Sequence, residues 1–158
     1  METALSVAAF LLSLVSAGFS LYTFIWTACR DRKQATLDAF NQLQAQALDA
    51  LSRYKIEQVE EIAKNPFSQS YKEIGGYIAR IEHFSVGVNQ QIYDKTVVYE
   101  LAHGFLDKAI RKRIEPIIAT KNRSGHDYYA NIHRLYRWMD AEEAKREKQQ
   151  TTEVQQHG

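Results

Sequence analysis

The sequence has a single cysteine, Cys29, and only two prolines, and it lacks an excess of either charge. One cysteine excludes an intramolecular disulfide framework and a zinc site built from several cysteines. The 20 Lys and Arg residues nearly balance the 19 Asp and Glu residues, which leaves a formal charge of +1. Because nucleic-acid binders usually carry a basic excess, we expect no nucleic-acid partner.

The motifs of common enzyme classes are also missing. The chain has no Gly-x-Ser-x-Gly elbow, no Walker-type loop and no dinucleotide fingerprint. Gly75 and Gly76 are adjacent, but they lack the lysine and the preceding strand that phosphate-binding loops need. Cys29 has no histidine near it in the sequence that could activate it. The sequence therefore predicts no catalytic residue, no cofactor and no metal site.

Charged residues are distributed very unevenly along the chain. Residues 3–29 contain none, whereas every Lys and Arg lies from Arg30 onward. As a helix these 27 residues would be about 40 Å long, which exceeds the hydrocarbon core of a bilayer at about 30 Å. Tyr22 and Trp26 near the end of the run are typical of an interfacial aromatic belt. This pattern predicts a transmembrane helix over residues 3–29, with the lipid bilayer as its partner.

A cleaved secretory signal is the main alternative to a retained anchor. Such a signal begins with basic residues and has an apolar core of roughly 7 to 15 residues. Here the start is acidic, at Glu2, and the uncharged run is nearly twice that length, so we expect a retained anchor. The basic residues Arg30, Arg32 and Lys33 directly after the run predict that the C-terminal part is cytoplasmic. We therefore expect a single-pass protein of the inner membrane.

Small residues recur at helical spacing along one face of the predicted span. They are Ala9, Ser13, Ser16, Ala17 and Ser20. Small side chains allow two membrane helices to approach closely, so Ser13 and Ala17 are candidates for a homo-oligomer contact. The alternative is that they simply fill a tolerant span. Cys29, at the end of the span, is either a site of acylation or an ordinary small apolar residue.

Beyond the anchor, apolar residues recur every three or four positions in four stretches, which is typical of amphipathic helices. The first stretch covers residues 34–64 and ends before Pro66, because proline disfavours helical geometry in the residue before it. The second helix begins between Ser70 and Tyr77, and Ser68 or Ser70 can cap its start.

Asp94 is a natural N-cap for a third helix, and Asp127 for a fourth. Pro116 is predicted to kink or stop the third helix after Glu115. The predicted buried positions of these two helices are Val98, Leu101, Phe105, Ile110 and Ile114, then Tyr128, Ile132, Leu135, Tyr136 and Met139.

No alternating pattern of strand length occurs, so the predicted fold class is all-α. We expect one N-terminal transmembrane helix followed by a small bundle of about four helices. The bundle is predicted to occupy residues 30–140 on the cytoplasmic side. Residues 141–158 are rich in Glu, Lys, Gln and Thr, which predicts a charged, partly disordered tail.

Several segments resemble the DUF4760 family of bacterial proteins. The segments are Tyr77–Val88, Ile92–Asp94, the positions Val97, Val98, Tyr99 and Leu101, Ile114–Ile118, and Tyr129, Ile132, Leu135 and Tyr136. The resemblance covers roughly residues 35–140, and it departs from the family pattern at Ala79 and Glu115. It implies a small helical protein, frequently with an N-terminal membrane helix, in a family whose function is uncharacterised.

The sequence predicts a structural role for two residues of these segments, Gly87 and Glu82. Gly87 lies inside the second helix, where a small residue would permit close approach of another helix. Glu82 lies beside apolar residues, so a partly buried carboxylate there would require a partner such as Arg80, Arg111 or Arg113. We interpret this as a structural ion pair that orients two helices.

The Glu-x-x-His spacing of Glu100 and His103 places both side chains on one helix face, as in the catalytic sites of di-iron bundles. Such a site needs two of these motifs, and the chain has one. The leading interpretation is therefore a membrane-anchored interaction or regulatory module with an unknown cytoplasmic protein partner, in which the helix over residues 34–64 can pair with copies of itself. The alternatives are a membrane-tethered metal-dependent or hydrolytic enzyme that uses Glu82, Glu100 and His103, and a membrane-perturbing defence effector.

Overall fold

A computed structural model describes the backbone of residues 2–123 and 125–157 and the side chains of residues 10–123 and 125–152. Within these ranges the chain forms five helices and no strand, which confirms the predicted all-α class. Helix α1 comprises Glu2–Leu43, a π-helical turn Gln44–Leu48 and a last turn Asp49–Ser52; α2 is Ile56–Ala63 and α3 is Gln69–Asn89. Helix α4 comprises Lys95–Ala102, a π-helical segment His103–Ile110 and Arg111–Asn122; α5 is Ala130–His157.

Helix α1 passes from the apolar run into the bundle without a break. Every described side chain from residue 10 to residue 35 is exposed, and packing against the rest of the chain begins at Thr36. From there the buried residues Phe40, Leu43, Leu48 and Leu51 face the bundle at helical spacing. Helix α1 therefore contains the predicted span and also contributes buried residues to the hydrophobic core.

The prediction of one helix over residues 34–64 is wrong, because the chain turns between Ser52 and Ile56. Lys55 has extended backbone, and its N–H donates to Gln58 Oε1 at 2.8 Å, which starts α2. The turn lets α2 bury Val59 and Ala63 against the last part of α4. Apolar periodicity alone did not reveal the turn, because residues on both sides of it face the same core.

The predicted capping residues Ser68 and Asp94 are confirmed, although α3 begins at Gln69, one residue before the predicted range Ser70 to Tyr77. Ser68 caps α3, since its Oγ accepts a hydrogen bond from the Tyr71 N–H at 3.1 Å. Asp94 caps α4, since its Oδ1 accepts from the Val97 N–H at 3.1 Å. Both caps satisfy amides of the first turn that have no partner inside their own helix.

Of the two predicted effects of Pro116, a kink or a stop, the stop does not occur, because the helix continues to Asn122. Proline inside a helix costs about 3 kcal/mol through the missing hydrogen bond and a clash with the preceding turn. Ile114, Ile117 and Ile118 around it are all buried, and each contributes roughly 1.5–3 kcal/mol on full burial. Burial on both sides of the proline therefore outweighs the local cost and maintains the helix.

The buried face of α4 differs from the predicted one. Leu101 is exposed and Phe105 is half-buried, whereas Ala102 and Leu106 are buried. Every fourth residue from Val98 to Ile114 lies on the inner face. The wider turn of the π-helical segment His103–Ile110 supports this spacing over its own length, where Leu106 rather than Phe105 is buried. In the following loop Tyr128 is exposed and Tyr129 is buried, the reverse of the predicted pattern.

Helix α3 lies at the centre of the bundle, where it packs against α1, α2, α4 and α5. Helix α5 continues to His157, and Glu143 and Arg146 on it contact α4. The predicted bundle boundary at residue 140 therefore lies inside α5, and residues 141–157 are helical. Gly158 lies outside the described residues.

Position 87 must be glycine because the ring of Tyr93 packs against it, and not because a neighbouring helix does. The chain turns sharply after α3, with Gln91 at a φ of 59°, and Tyr93 folds back onto the helix. A Cβ at Gly87 would lie 2.3 Å from Cε2 of Tyr93, whose ring also stacks on Phe84 with centroids 5.3 Å apart. The predicted need for a small residue is thus explained, but its partner is the tyrosine of the following turn.

We expect Gly87→Ala to destabilise the protein by about 1–3 kcal/mol, because the new methyl group would force the Tyr93 ring out of place. The matched control is Gly76→Ala, an exposed position in the same helix with open space around it. That change should stabilise α3 by up to about 1 kcal/mol. Thermal unfolding in detergent, followed by circular dichroism, measures both, and equal melting temperatures for the two variants would contradict the assignment.

Candidate functional site

A polar cluster forms where α5 packs on the π-helical segment of α4. Glu143 is its first centre: Oε1 lies 3.0 Å from the Lys108 ammonium and 3.2 Å from Nε2 of His103. Nε2 is buried and lies outside good hydrogen-bond alignment with the carboxylate. The His103 ring is also stacked on Tyr99, with centroids 4.6 Å apart. An imidazole and an ammonium group thus share one carboxylate.

Arg111 is the second centre of the cluster. Its Nη1 lies 3.0 Å from Asp107 Oδ1 and 2.8 Å from Asp140 Oδ1, so it joins α4 to α5. The side chain of Asp107 is only 8% exposed, and a buried carboxylate of this kind needs a paired cation. The Arg111 guanidinium also lies over the ring of Tyr136, 4.9 Å from its centroid.

The ionisation behaviour of these groups follows from their pairing. The hydrogen bond from Lys108, and behind it the contact with His103, lower the pKa of the Glu143 carboxyl. The same hydrogen bond raises the pKa of the Lys108 ammonium. Hydrogen bonding to Asp140 contributes most to the raised pKa of Arg111, and burial raises the pKa of the Tyr136 hydroxyl. Glu143, Lys108 and Arg111 are therefore charged at neutral pH.

The donor set raises the question of a metal ion. Ligand atoms of His103, Asp107 and Glu143 all lie within 4.8 Å of one another, and an imidazole with two carboxylates is a set that zinc uses. However, both carboxylates already hold a cation, namely Lys108 for Glu143 and Arg111 for Asp107. A metal ion would therefore have to displace Lys108 and Arg111 from these carboxylates, whereas Nε2 of His103 is buried without a hydrogen-bond partner.

The structure does not bring together the three residues of the enzyme hypothesis. Glu100 is exposed and pairs with Arg146 at 2.6 Å rather than with His103. Glu82 binds the N–H of Ile132, whereas His103 contacts Glu143, eleven residues further along α5. Eleven residues correspond to about 16 Å of helix, so Glu82 and His103 lie too far apart to act on one substrate atom.

Glu82 has a different partner from the predicted arginine. Its Oε1 accepts from the N–H of Asn131 at 3.2 Å and from the Asn131 side-chain amide at 2.8 Å. Its Oε2 accepts from the N–H of Ile132 at 2.9 Å. These amides belong to the first turn of α5, where the helix carries partial positive charge. Glu82 on α3 therefore caps α5 from outside that helix.

The three arginines considered as partners all bind elsewhere. Arg80 donates to the Gln46 carbonyl at 3.1 Å, Arg113 donates to the carbonyls of Tyr54 and Ala109, and Arg111 belongs to the polar cluster. The expectation of an arginine for Glu82 is corrected by these contacts. Asp127 accepts from the Tyr129 N–H at 3.4 Å, ahead of α5, so the predicted cap of this helix is only a weak one.

Sequence reasoning missed the contribution of α5 to the cluster. Asp140 is the last residue of the predicted bundle, and Glu143 lies beyond it, where the apolar pattern fades and the sequence predicts a tail. The usable signal was the charge pattern, because Glu142 and Arg146 four residues apart support a continuing helix and do pair, at 3.2 Å.

Fold and cluster together define a small all-helical domain carried on a long apolar helix. The chain belongs to the DUF4760 family, described as a domain of unknown function, whose family model matches residues 10–139. The predicted family is thereby confirmed, and the match extends into the apolar run of α1. The comparison with curated proteins and the comparison with solved structures each found no match.

We expect Glu82→Gln to destabilise the protein by about 1–2 kcal/mol, because the variant lacks the negative charge that faces the first turn of α5. Hydrogen exchange at the amides of Asn131 and Ile132 should become faster than in the parent. Glu60→Gln, at an exposed position on α2, is the matched control and should leave both readouts unchanged. Unaltered exchange in α5 of the Glu82 variant would refute the cap.

The lowered pKa of Glu143 predicts how the stability of the folded protein changes with pH. A carboxyl with a lowered pKa in the folded state stabilises the fold above its unfolded pKa, and this contribution is lost as pH falls. Glu143→Gln should therefore melt below the parent at neutral pH, and the difference should disappear as the pH falls through the lowered pKa of the carboxyl. In the control Glu61→Gln, which breaks an exposed pair with Lys64, the melting temperature should stay close to that of the parent. A difference that persists at acid pH would contradict the ion-pair role.

Proposed function

We propose that this protein is a single-pass membrane protein whose α1 anchors a helical interaction or regulatory module. The observation that carries the proposal is the uncovered apolar surface of α1, which is long and apolar enough to cross a bilayer. Its exposed large apolar side chains are Phe10, Leu11, Leu12, Leu14, Val15, Phe19, Leu21, Tyr22, Phe24, Ile25 and Trp26. Each costs roughly 1.5–3 kcal/mol when left in water rather than buried, so a bilayer is the partner that this surface fits.

The charges after the apolar run support a cytoplasmic bundle in the inner membrane. Arg30, Arg32 and Lys33 follow the run directly, and basic residues beside a span tend to stay on the cytoplasmic side. The Arg30 guanidinium lies 5.9 Å from the ring centroid of Trp26, an aromatic and basic pair of the kind that lies at membrane interfaces.

The packing of α1 also bears on self-association. Its apolar stripe beyond residue 36 is buried in the bundle, through Phe40, Leu43 and Leu48. This part of α1 therefore has no free apolar face through which it could pair with a second copy of the chain, as the sequence had predicted for residues 34–64. Ser13 and Ala17 are exposed on the apolar run, so we propose that a homo-oligomer forms through the span.

For the unknown cytoplasmic partner, the groove beside the polar cluster is the surface that we favour. It has a volume of about 630 Å³, and Asp107, Arg111, Glu115 and His133 are among its lining residues. Charges of both signs on a rigid pair of helices suit recognition of a polar protein segment, because complementary charges select the partner and its register. The activity of the module in this proposal is binding, without a chemical step.

We expect the protein to resist extraction from membranes by alkaline carbonate, and Leu14→Arg to increase the extracted fraction, because a charge at the centre of the span disfavours insertion. Asn41→Arg, at an exposed position on the same helix beyond the apolar run, is the matched control and should stay in the membrane. Quantitative immunoblots of the two fractions measure the effect, and complete extraction of the parent protein would refute the anchor.

Orientation needs a separate measurement. A protease should remove a C-terminal tag in inverted membrane vesicles and leave it intact in whole cells, because the basic cluster keeps the bundle cytoplasmic. Cleavage in whole cells would contradict the proposed orientation while leaving the anchor in place.

A further inference from the structure

The turn between α3 and α4 lies beside the point where α1 leaves its apolar run. The N–H of Asp94 donates to Oγ1 of Thr36 at 2.8 Å, and the Arg32 guanidinium donates to the carbonyl of Gln91. Arg32 is three residues beyond Cys29, the last residue of the uncharged run, which corresponds to about 4.5 Å of helix. The turn is therefore at the level of α1 where a spanning helix would meet the lipid headgroups.

The backbone of this turn is held from several sides. The amides of Ile92 and Tyr93 both donate to the carbonyl of Gly87, at 2.9 and 3.2 Å. Packing of the Tyr93 ring against Gly87 and the Asp94 cap fix the residues that follow. The turn therefore presents its tip in one defined direction.

The tip of this fixed turn is an apolar side chain. Ile92 is 61% exposed, although turn tips usually carry polar residues or glycine, and it contributes little to the core. Arg32 lies at this turn, where it donates to the carbonyl of Gln91 next to Ile92. Arg30 and Lys33 are its neighbours on α1, and they outnumber the acidic Asp31 of the same segment. An apolar side chain among cations is the combination that binds the interface of an anionic membrane.

We propose that the turn Gln90–Asp94 is a second membrane contact, in which Ile92 enters the headgroup layer of the bilayer that α1 crosses. The inference rests on the proposed anchoring and goes beyond it, because it fixes the tilt of the bundle relative to the membrane. Two contacts define the tilt of the unit formed by α1 and the bundle relative to the membrane, whereas the span alone leaves that tilt undefined. The packing of Tyr93 on Gly87 then serves to aim Ile92 at the lipid.

The test uses the full chain in nanodiscs of phosphatidylcholine and phosphatidylglycerol, with Cys29→Ala as the parent. An environment-sensitive fluorophore is attached through Ile92→Cys, Phe67→Cys or Phe24→Cys, one at a time. Phe67 is the matched control, since it is 88% exposed and lies just before α3, at the opposite end of that helix from Ile92. Phe24 reports on the span itself. Quenching by lipids with a spin label near the headgroup measures the contact of each position with the membrane.

We expect strong quenching at position 24, quenching at position 92 that is at least about twofold greater than at position 67, and an emission shift to shorter wavelength at 92. Quenching at 92 equal to that at 67, with position 24 quenched, would overturn the second contact and leave the anchor standing. If none of the three positions is quenched, the anchor itself fails, and the second contact fails with it. Circular dichroism should show the helix content of the parent in each variant, because all three side chains are exposed.

Discussion

The carboxylate of Glu82 satisfies the first amides of α5 from a neighbouring helix, and the placement of α5 depends on it. The first four N–H groups of any helix lack a partner inside that helix. The loop before α5 offers little help, since the one backbone hydrogen bond of Asp127 among the described residues is with the Tyr129 N–H, ahead of the helix, at 3.4 Å. Two oxygens of one carboxylate bind Asn131 and Ile132 instead, and the charge opposes the partial positive charge of the helix end. From this fixed point α5 crosses α4 and brings Glu143 to His103.

The polar cluster fixes α5 a second time, through charged side chains of α4. Asp107 is buried on the inner side of α4, so its charge must be paired. Arg111 supplies the pair and also binds Asp140, which commits α5 to one position along α4. Replacing such ion pairs by apolar residues often costs no stability. The network therefore serves to fix one arrangement of α4 and α5.

Much of the fold could be predicted from apolar spacing and from capping residues, because both act locally. Ser68 and Asp94 hydrogen-bond amides three residues away, so the sequence carries the whole signal. The site was harder to predict, because Glu82 binds backbone amides some fifty residues away, and backbone amides leave no side-chain pattern to find. The π-helical segment was missed for a related reason: its wider turn places Leu106 instead of Phe105 on the buried face, and tertiary packing makes that choice.

Because α1 is helical without a break from Glu2 to Ser52, the apolar run and the bundle cannot move independently. A helix resists bending unless proline, a glycine pair or a π-turn interrupts it, and the first π-turn comes at Gln44, beyond the first bundle contacts. Any rotation of the apolar run about its axis must therefore be passed to Thr36 and Phe40. Thr36 holds the amide of Asp94, which caps α4, so the same rotation would act on the helix that carries the polar cluster. The unbroken helix and the hydrogen bond of Thr36 thus couple the apolar run of α1 mechanically to the helix that carries the polar cluster.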